Sequence, residues 1–453
     1  MNTLIMNPLL RLGGLPSRMN ARLAARPAAG NFMWLALDKG VRLIIAVVIG
    51  SWSARYLGKA NFGLLNFAMP IVAVFASIAP LGMEALVVRQ LIQEPDKAGR
   101  WLGTVMGFRT TAASLFALAA LGVAWLQRPG DPASLWITAI LAAGMAVQAL
   151  EAGELYFQAR IEMRRLIFPR LGLSVVLNVI KVGFILQGMS VYWFAVLTAI
   201  EQGGSGLLTL WLMRRALGTG QRLQFEFQRG WTLLKECWPL AISALTVIVY
   251  MKTAQLVMNS RLSNSELGIF GAAIRIPDTV GFLPAILASS ILPGLLKSRS
   301  QGDGIYFEQL QRFFRINALV AYLVCLPLSL GSFLIIPLLY GPGFHESGPV
   351  MAVYTWALFF SFQGVARGQH LLNLRLVRLS LLFSVVGLFV SLALNFLLIP
   401  RWGTMGAAVA TAVSNLSCSI LTSFLVAPTR RIGRMQLLAL VTPFRGVMRE
   451  IRG

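Results

Sequence analysis

The sequence is poor in charged residues, above all acids, and in cysteine and histidine. Only 13% of the 453 residues are charged, with 17 acids against 40 lysines and arginines. A soluble protein of this length needs a charged surface to stay dissolved, so the composition excludes that class. Cys237, Cys325 and Cys418 lack metal or redox spacing, and His345 and His370 are isolated from them. We therefore expect no metal site, and we expect the cysteines to be small core residues.

Long apolar runs fill most of the chain instead. Hydrophobic residues make up 57% of the sequence, and the mean hydropathy is +0.70. A run of about 20 apolar residues matches a hydrocarbon core about 30 Å thick. The sequence therefore predicts an all-α polytopic membrane protein with twelve transmembrane helices, at Phe32–Ser53, Phe62–Met83, Trp101–Leu126, Leu135–Phe157, Ile167–Leu186, Val191–Met213, Trp238–Ser260, Leu267–Leu296, Phe314–Leu339, Val350–Leu372, Leu379–Leu398 and Thr404–Val426.

Basic residues are concentrated in alternate connections. The side that holds both termini carries 28 lysines and arginines, and the other side carries five: Arg55, Lys59, Arg128, Arg261 and Arg401. An excess of Lys and Arg marks the cytoplasm, so both termini are expected there. This rule also explains the net charge of +23, so nucleic acid is not an expected partner. The basic stretch after Thr429 is expected to rest on anionic membrane lipids.

Two segments of the chain resemble each other. Residues 57–68 (LGKANFGLLNFA) and 262–273 (LSNSELGIFGAA) are 205 positions apart, and Gly63 aligns with Gly268. Six predicted spans separate them, so both halves enter the membrane in the same direction, as in transporters with parallel repeats. We expect a basic tail at 1–30, an N-lobe at 31–213, a cytoplasmic linker at 214–237, a C-lobe at 238–427 and a second basic tail at 428–453.

The two spans that follow the repeats are rich in proline. Pro70 and Pro80 lie in the second span, and Pro277 and Pro284 lie in the eighth. Each proline removes a helix hydrogen bond and clashes one turn back, so these helices are expected to kink. Although transmembrane helices tolerate proline, the paired placement favours hinges.

Three runs resemble the polysaccharide-exporting branch of the multidrug/oligosaccharidyl-lipid/polysaccharide (MOP) flippase superfamily. They are residues 54–63 (ARYLGKANFG), 81–89 (LGMEALVVR) and 399–408 (IPRWGTMGAA). The resemblance implies two six-helix lobes that form a V around a central cavity in the bacterial inner membrane. It implies a non-enzymatic flippase that carries an undecaprenyl-pyrophosphate-linked O-antigen or exopolysaccharide unit from the cytoplasmic to the periplasmic leaflet by alternating access. A polymerase and other polysaccharide-assembly proteins are expected partners.

Seven basic residues lie within the predicted spans: Lys39, Arg42, Arg109, Lys181, Lys252, Arg275 and Arg367. A lipid-facing charge at mid-depth costs roughly 3 kcal/mol, so these residues need partners or a function. The spacing predicts the helical ion pairs Asp38–Arg42 and Arg275–Asp278. Lys181 and Arg367 are close enough to a span end to extend to the interface.

The cations outnumber the facing acids Asp38, Asp278 and Glu201, which suits an anionic pyrophosphate. We expect Arg42, Lys252 and Arg275 to bind it, with Lys39, Arg109 and Lys181 as weaker candidates. The acids are expected to position the arginines or to bind a coupling H⁺ or Na⁺, and no other cofactor is expected. A polar stripe on the seventh span is expected to line the sugar path, through Ser243, Thr246, Tyr250 and Thr253.

Three alternatives stay open. A lipid II flippase of the same superfamily commonly has fourteen spans, against twelve here. A cation-coupled multidrug exporter needs a cavity biased towards acids, which is the opposite of this chain. A membrane glycosyltransferase or polymerase needs reactive groups in sizeable outer connections, and these connections are short and hold no convergent carboxylate pair.

Overall fold

The computed structural model describes residues 17–218, 221–374 and 376–443. Side chains are described from residue 47 onward and at residues 40 and 45, except at 289–290, 292–293 and 377–378. Within these ranges the chain forms fourteen α-helices and no strand. They are α1 Ser17–Ile78, α2 Glu84–Gln93, α3 Ala98–Gln127, α4 Pro132–Gln148, α5 Glu154–Ala159, α6 Arg164–Leu186, α7 Val191–Leu217, α8 Phe227–Asn259, α9 Asn264–Val280, α10 Leu283–Arg299, α11 Asp303–Tyr340, α12 Ser347–Asn373, α13 Val377–Ser419 and α14 Arg430–Val441.

The helices confirm the prediction of an all-α membrane protein. Nine helical stretches of the described residues are long and apolar enough to cross a bilayer. Helix α1 covers the first two predicted spans and α13 the last two, and each reverses at a glycine with positive φ, Gly58 (72°) and Gly403 (53°). Only glycine adopts such a conformation readily. Helix α7 covers the sixth predicted span and is not among the nine stretches.

Two predicted spans differ from the helices of the structure. The second span ends at Ile78, because a turn with positive φ at Leu81 and Gly82 precedes α2. The eighth span is two helices, α9 and α10, with Gly281 and Phe282 between them. Pro284 lies in the first turn of α10, where its ring prevents a continuous helix from forming one turn earlier.

The helices on either side of the predicted linker 214–237 extend into it. Helix α7 continues to Leu217 and α8 already begins at Phe227. The segment before α8 lies against α3, where a Cβ at Gly103 would be 2.5 Å from the carbonyl oxygen of Gln224. The rings of Phe225 and Phe227 both stack on Phe108. We call α1–α7 the N-terminal half and α8–α14 the C-terminal half.

The predicted basic tail at 428–453 contains a helix, α14. Helix α14 buries Ile432, Met435 and Ala439 in a cluster with Leu310 and Phe314 of α11. Gln436 is fully buried, and its side-chain amide donates to the carbonyl oxygens of residues 363 and 419. Residues 444–453 lie outside the described part of the chain.

Candidate functional site

The six connections with few basic residues meet at one end of the molecule, which we call the charge-poor end. It comprises residues 55–61, 127–134, 187–190, 261–266, 340–349 and 399–403. The Tyr56 hydroxyl donates to the carbonyl oxygen of Met189 at 3.0 Å, and Lys59 pairs with Glu346 at 2.9 Å. The opposite end, which includes the linker and α14, is the charge-rich end. The alternation of the charge pattern therefore matches the fold.

A cavity of about 340 Å³ lies between the two halves, and we call it the central cavity. Helix α1 contributes Asn66 and Pro70, α8 contributes Lys252, and α9 contributes Arg275 and Asp278. At 1.5 Å per residue, Lys252 lies about 10 Å from the end of α8 at the charge-poor end. The structure thus brings together two of the three principal cations that the sequence predicted.

Asp278 is the acid that these cations face. Its carboxylate lies 3.9 Å from the Lys252 ammonium and accepts a hydrogen bond from the Tyr354 hydroxyl at 2.7 Å. Its side chain is 42% exposed although it lies far from either end of the helical pair α9–α10, because it lines the central cavity. The predicted Arg275–Asp278 ion pair does not occur among the described residues. Lys252, on a neighbouring helix, takes its place.

Arg275 instead lies against α1. A Cβ at Gly50 would be 2.6 Å from an Nη of Arg275, so this glycine makes room for the guanidinium. Lys181 of α6 interacts electrostatically with Arg275 and with Glu201. A cation of the N-terminal half therefore lies near Arg275. Glu201 accepts a 2.6 Å hydrogen bond from Ser174.

The other predicted substrate-binding residues on α1 and α8 do not line the central cavity among the side chains that the structure describes. The side chains of Asp38, Lys39 and Arg42 lie outside the described part of the chain. Of the four-residue stripe on α8, Tyr250 lines a cavity of about 240 Å³ within the C-terminal half. Thr246 donates to the carbonyl oxygen of Ile242 and Thr253 to that of Val249, both in their own helix. The remaining member, Ser243, is half-buried.

Two predicted intramembrane cations are outside the central cavity. Arg109 lines a separate cavity in the N-terminal half, together with Glu84, Glu151 and Glu154. Arg367 does not extend to the interface as expected, because it is 5% exposed and its guanidinium donates to the Thr422 hydroxyl at 2.8 Å. Its role is to join α12 to the end of α13.

Arg128 is a contact between the halves that the sequence did not single out. It follows α3, and its Nε donates to the carbonyl oxygen of Asn259 at 3.0 Å. Its two Nη atoms donate to the Asn264 side chain and to the carbonyl oxygen of Leu262. Burial lowers the pKa of this guanidinium, against the opposing effect of Asp131. The sequence could have pointed to Arg128, because it is one of only five basic residues at the charge-poor end.

The Lys59–Glu346 pair adds a second contact there. The hydrogen bond from Lys59 lowers the pKa of Glu346 below its ordinary value. The side chains are 26% and 51% exposed, so water screens their attraction and the pair contributes little energy alone. Like Arg128, it links the two halves at the charge-poor end.

The predicted hinge prolines have different surroundings. Pro70 lies inside α1 and Pro277 inside α9, and both helices continue through them. Pro80 lies in the turn after Ile78, and Pro284 follows the break between α9 and α10. Pro80 and Pro284 therefore mark where the second predicted span ends and where the eighth is broken.

Sequence comparison gives a matching protein family and two similar proteins. Residues 53–349 match a family described as "Polysaccharide biosynthesis protein". The capsular polysaccharide biosynthesis protein CapF of Staphylococcus aureus is 26% identical over 39% of this chain and 45% of its own length, so that match spans less than half of the relative. The probable flippase AglR of Haloferax volcanii is 23% identical over 83% of this chain and 79% of its own.

Solved structures share the fold. A lipid II flippase MurJ in an inward closed conformation superposes with a TM-score of 0.68 at 13% identity, over 91% of both chains. An inward-facing multidrug resistance MATE family transporter of the MOP superfamily gives 0.67 at 14% identity, over 88% of this chain and 96% of its own. The likeness is to membrane transporters. The chain therefore belongs to the family described as "Polysaccharide biosynthesis protein", and it has the fold of a transporter from the MOP superfamily.

Proposed function

We propose that this chain moves an undecaprenyl-pyrophosphate-linked oligosaccharide, an O-antigen or exopolysaccharide repeat unit, from the cytoplasmic to the periplasmic leaflet of the inner membrane. The observation that carries the proposal is the pair of cations, Lys252 and Arg275, in the cavity between the two halves. A pyrophosphate brings about two negative charges, and charge-assisted hydrogen bonds to it are the stronger kind. Arg42 and Lys39 complete the expected set.

Asp278 has two roles in this proposal. Its carboxylate lies 3.9 Å from the Lys252 ammonium, and an arriving pyrophosphate competes for that ammonium. Once released, the carboxylate is hydrogen-bonded to Tyr354 alone and becomes a better proton acceptor. Cargo binding and binding of a coupling H⁺ are thereby linked through one carboxylate. Glu201, which Ser174 holds, is the second candidate for coupling.

The direction of transport follows from the charge pattern. The charge-rich end is assigned to the cytoplasm, because it carries the excess of Lys and Arg. The contacts of Arg128 and Lys59 then close the periplasmic end. In the transport cycle these contacts break, the two halves rock against each other and the cavity opens to the periplasm. The lobes are taken as residues 31–213 and 238–427, with the segment before α8 lying on α3.

Anionic lipids are proposed partners of α14. Arg430, Arg431 and Arg434 are exposed on this helix, as are Leu437 and Leu438. A helix with basic and apolar residues exposed together suits the surface of an anionic membrane. Polysaccharide-assembly proteins, including a polymerase, are proposed partners on the basis of the family alone.

The alternatives differ in their cargo. A multidrug exporter for organic cations would use acids in the central cavity, yet Lys252 already pairs with Asp278 there. Lipid II carries the same pyrophosphate, so a lipid II flippase fits the same cations, and only the glycan distinguishes the two. The comparisons favour a transporter over a catalytic enzyme.

The proposal is tested by removing the positive charges of the central cavity. Lys252→Gln and Arg275→Gln are each expected to weaken binding of undecaprenyl pyrophosphate to the purified protein about tenfold or more, because each removes a charge-assisted hydrogen bond worth roughly 1.5–3 kcal/mol. In a strain lacking the chromosomal gene, both variants should leave lipid-linked glycan in the cytoplasmic leaflet. Lys297→Gln removes an exposed lysine of α10 outside the cavity and serves as control. Normal binding and export by both cavity variants, at normal membrane abundance, would refute the proposal.

A further inference from the structure

The N-terminal half contains a second polar cavity that the transport of a pyrophosphate does not use. It has a volume of about 210 Å³ and lies between the end of α1, α3 and the segment from α4 to α5. Its polar lining residues are Glu84, Arg109, Gln148, Glu151, Glu154 and Gln158. We call it the N-terminal cavity.

Arg109 is the distinctive residue of this cavity. It is only 6% exposed, and its Nε and Nη2 atoms are buried without a hydrogen-bond partner. Glu84 approaches Nη2 to 3.7 Å, which is too far for a hydrogen bond. Nε and Nη2 form one edge of the guanidinium, so two adjacent N–H donors have no acceptor. Buried donors without acceptors are rare because they cost free energy.

The acids of the cavity are already held in place. Arg170 pairs with Glu154 at 2.6 Å and with Glu151 at 3.5 Å. Gln148 donates to Glu151 at 3.2 Å, and Gln158 donates to Glu154 at 3.0 Å. The carboxylates are thus fixed in orientation, and each oxygen can accept further hydrogen bonds.

The charge balance selects the kind of ligand. Two arginines, Arg109 and Arg170, face the three carboxylates of Glu84, Glu151 and Glu154 and offset all but one of their charges. The carboxylates repel an anion, which argues against a second pyrophosphate site. The arginines repel a cation. What remains is an uncharged group rich in hydroxyls, because the site offers donors at Arg109, acceptors at Glu151 and both at Gln148.

We propose that the N-terminal cavity binds a neutral sugar residue of the lipid-linked glycan and so selects the cargo. This inference rests on the proposed function, since it assigns the pyrophosphate to Lys252 and Arg275 and one sugar to the cavity around Arg109. The sugar hydroxyls accept from the free edge of Arg109 and donate to the ordered carboxylates. An analogue without those hydroxyls leaves buried polar groups unpaired, which is the strongest basis for discrimination.

Two probes separate the two sites. One is bare undecaprenyl pyrophosphate, and the other is the undecaprenyl-pyrophosphate-linked repeat unit extracted from the strain that encodes the chain. Binding of each to the purified full-length protein in lipid nanodiscs is measured for Arg109→Lys and Gln148→Leu. Arg109→Lys keeps the charge but loses the two-donor edge. Gln148→Leu conserves volume at a half-buried position, so it keeps the test valid if Arg109→Lys does not fold.

Both variants are expected to weaken binding of the glycan-linked probe roughly threefold to tenfold, the effect of one or two lost hydrogen bonds, and to leave the bare probe unchanged. The control is Gln93→Leu, which changes an exposed glutamine at the end of α2. Equal weakening of both probes would show that the cavity serves the pyrophosphate, and no weakening of either would show that it binds no cargo. Both results overturn the inference. Failure of the proposed function would instead appear in Lys252→Gln, which would bind both probes normally.

Discussion

Gly63 packs directly on the main chain of Asn264, so that a Cβ at position 63 would lie 1.7 Å from the carbonyl oxygen of Asn264. The reciprocal contact is also present, because a Cβ at Gly268 would lie 2.1 Å from the carbonyl oxygen of Lys59. Residues 59 and 264, like 63 and 268, are separated by the 205-residue offset of the repeat. The helices α1 and α9 therefore cross with twofold pseudo-symmetry, and each repeat packs on the start of the other.

We predict that Gly63→Ala and Gly268→Ala weaken this crossing to a similar extent. In both, the added methyl group overlaps main-chain atoms that cannot rotate away, and overpacking of this kind costs typically about 1–3 kcal/mol. The melting temperature of the purified protein in detergent should fall in both variants. Gly122→Ala is the control, because a Cβ at Gly122 meets no atom within 4 Å. An equal melting temperature in all three variants would contradict the close crossing.

A second prediction concerns the closure of the charge-poor end by Arg128. Arg128→Ala removes three hydrogen bonds from a charged group to the segment between α8 and α9. Each is worth roughly 1.5–3 kcal/mol, so the open conformation should gain population at least tenfold. Arg128→Lys should restore closure only in part, because one ammonium cannot replace the planar fork.

The measurement is the distance between spin labels at Ser190 and Arg401, which are exposed residues of the two halves at this end. The background protein has Cys237, Cys325 and Cys418 replaced. Arg128→Ala should add a longer distance to the distribution, and Arg128→Lys a smaller fraction of it. Identical distributions in all three proteins would show that Arg128 does not hold the end closed.

Much of the fold was predictable because bilayer thickness and charge asymmetry act on the sequence directly. Apolar runs of the right length and the alternation of arginines predicted the spans and their sides. The helix ends were less predictable, since local backbone geometry decides them. Gly58 and Gly403 reverse the chain within continuous helical runs, and the break before Pro284 splits one predicted span.

The site was predictable only as a set of charges. Composition showed that Lys252, Arg275 and Asp278 are costly in a membrane and need partners. Which groups pair depends on helix packing, so Asp278 is paired with Lys252 of another helix instead of Arg275. Likewise, the sequence made both Arg109 and Arg275 candidates for one pyrophosphate site, yet the two lie in different cavities.

The Lys59–Glu346 pair predicts a limited pH dependence of closure. Its hydrogen bond to Lys59 lowers the pKa of Glu346 below the ordinary value of 4.5. A lowered acid pKa means that the stabilisation is fully present above the ordinary value and is lost as pH falls through the lowered one. The spin-label distances should therefore stay constant between about pH 8 and 6 and lengthen only under stronger acid. Glu346→Gln, which mimics the protonated acid, should show no such change. A transition centred near neutral pH in the unmodified protein would assign the effect to another group.

The interruptions at Pro80 and Pro284 predict which prolines serve the movement of the two halves. A proline within a continuous helix has already been accommodated, whereas one at a break keeps two segments independent. Replacing Pro277 and Pro284 together by alanine restores two N–H donors and should favour one continuous helix across Gly281 and Phe282. Transport of lipid-linked glycan should then slow while the membrane abundance of the protein stays normal.

The matched double variant in the N-terminal half is Pro70→Ala with Pro80→Ala, and it should slow transport for the same reason. Among the single variants, Pro80→Ala and Pro284→Ala should slow transport most, because α1 and α9 continue through the other two prolines. Pro327→Ala is the control, because Pro327 lies inside the unbroken helix α11. The measured quantity is the rate at which periplasmic glycan appears after synthesis is induced, divided by protein abundance. If both double variants transport at the rate of Pro327→Ala, the breaks are static features of the fold and the movement must take place at the crossing of α1 and α9.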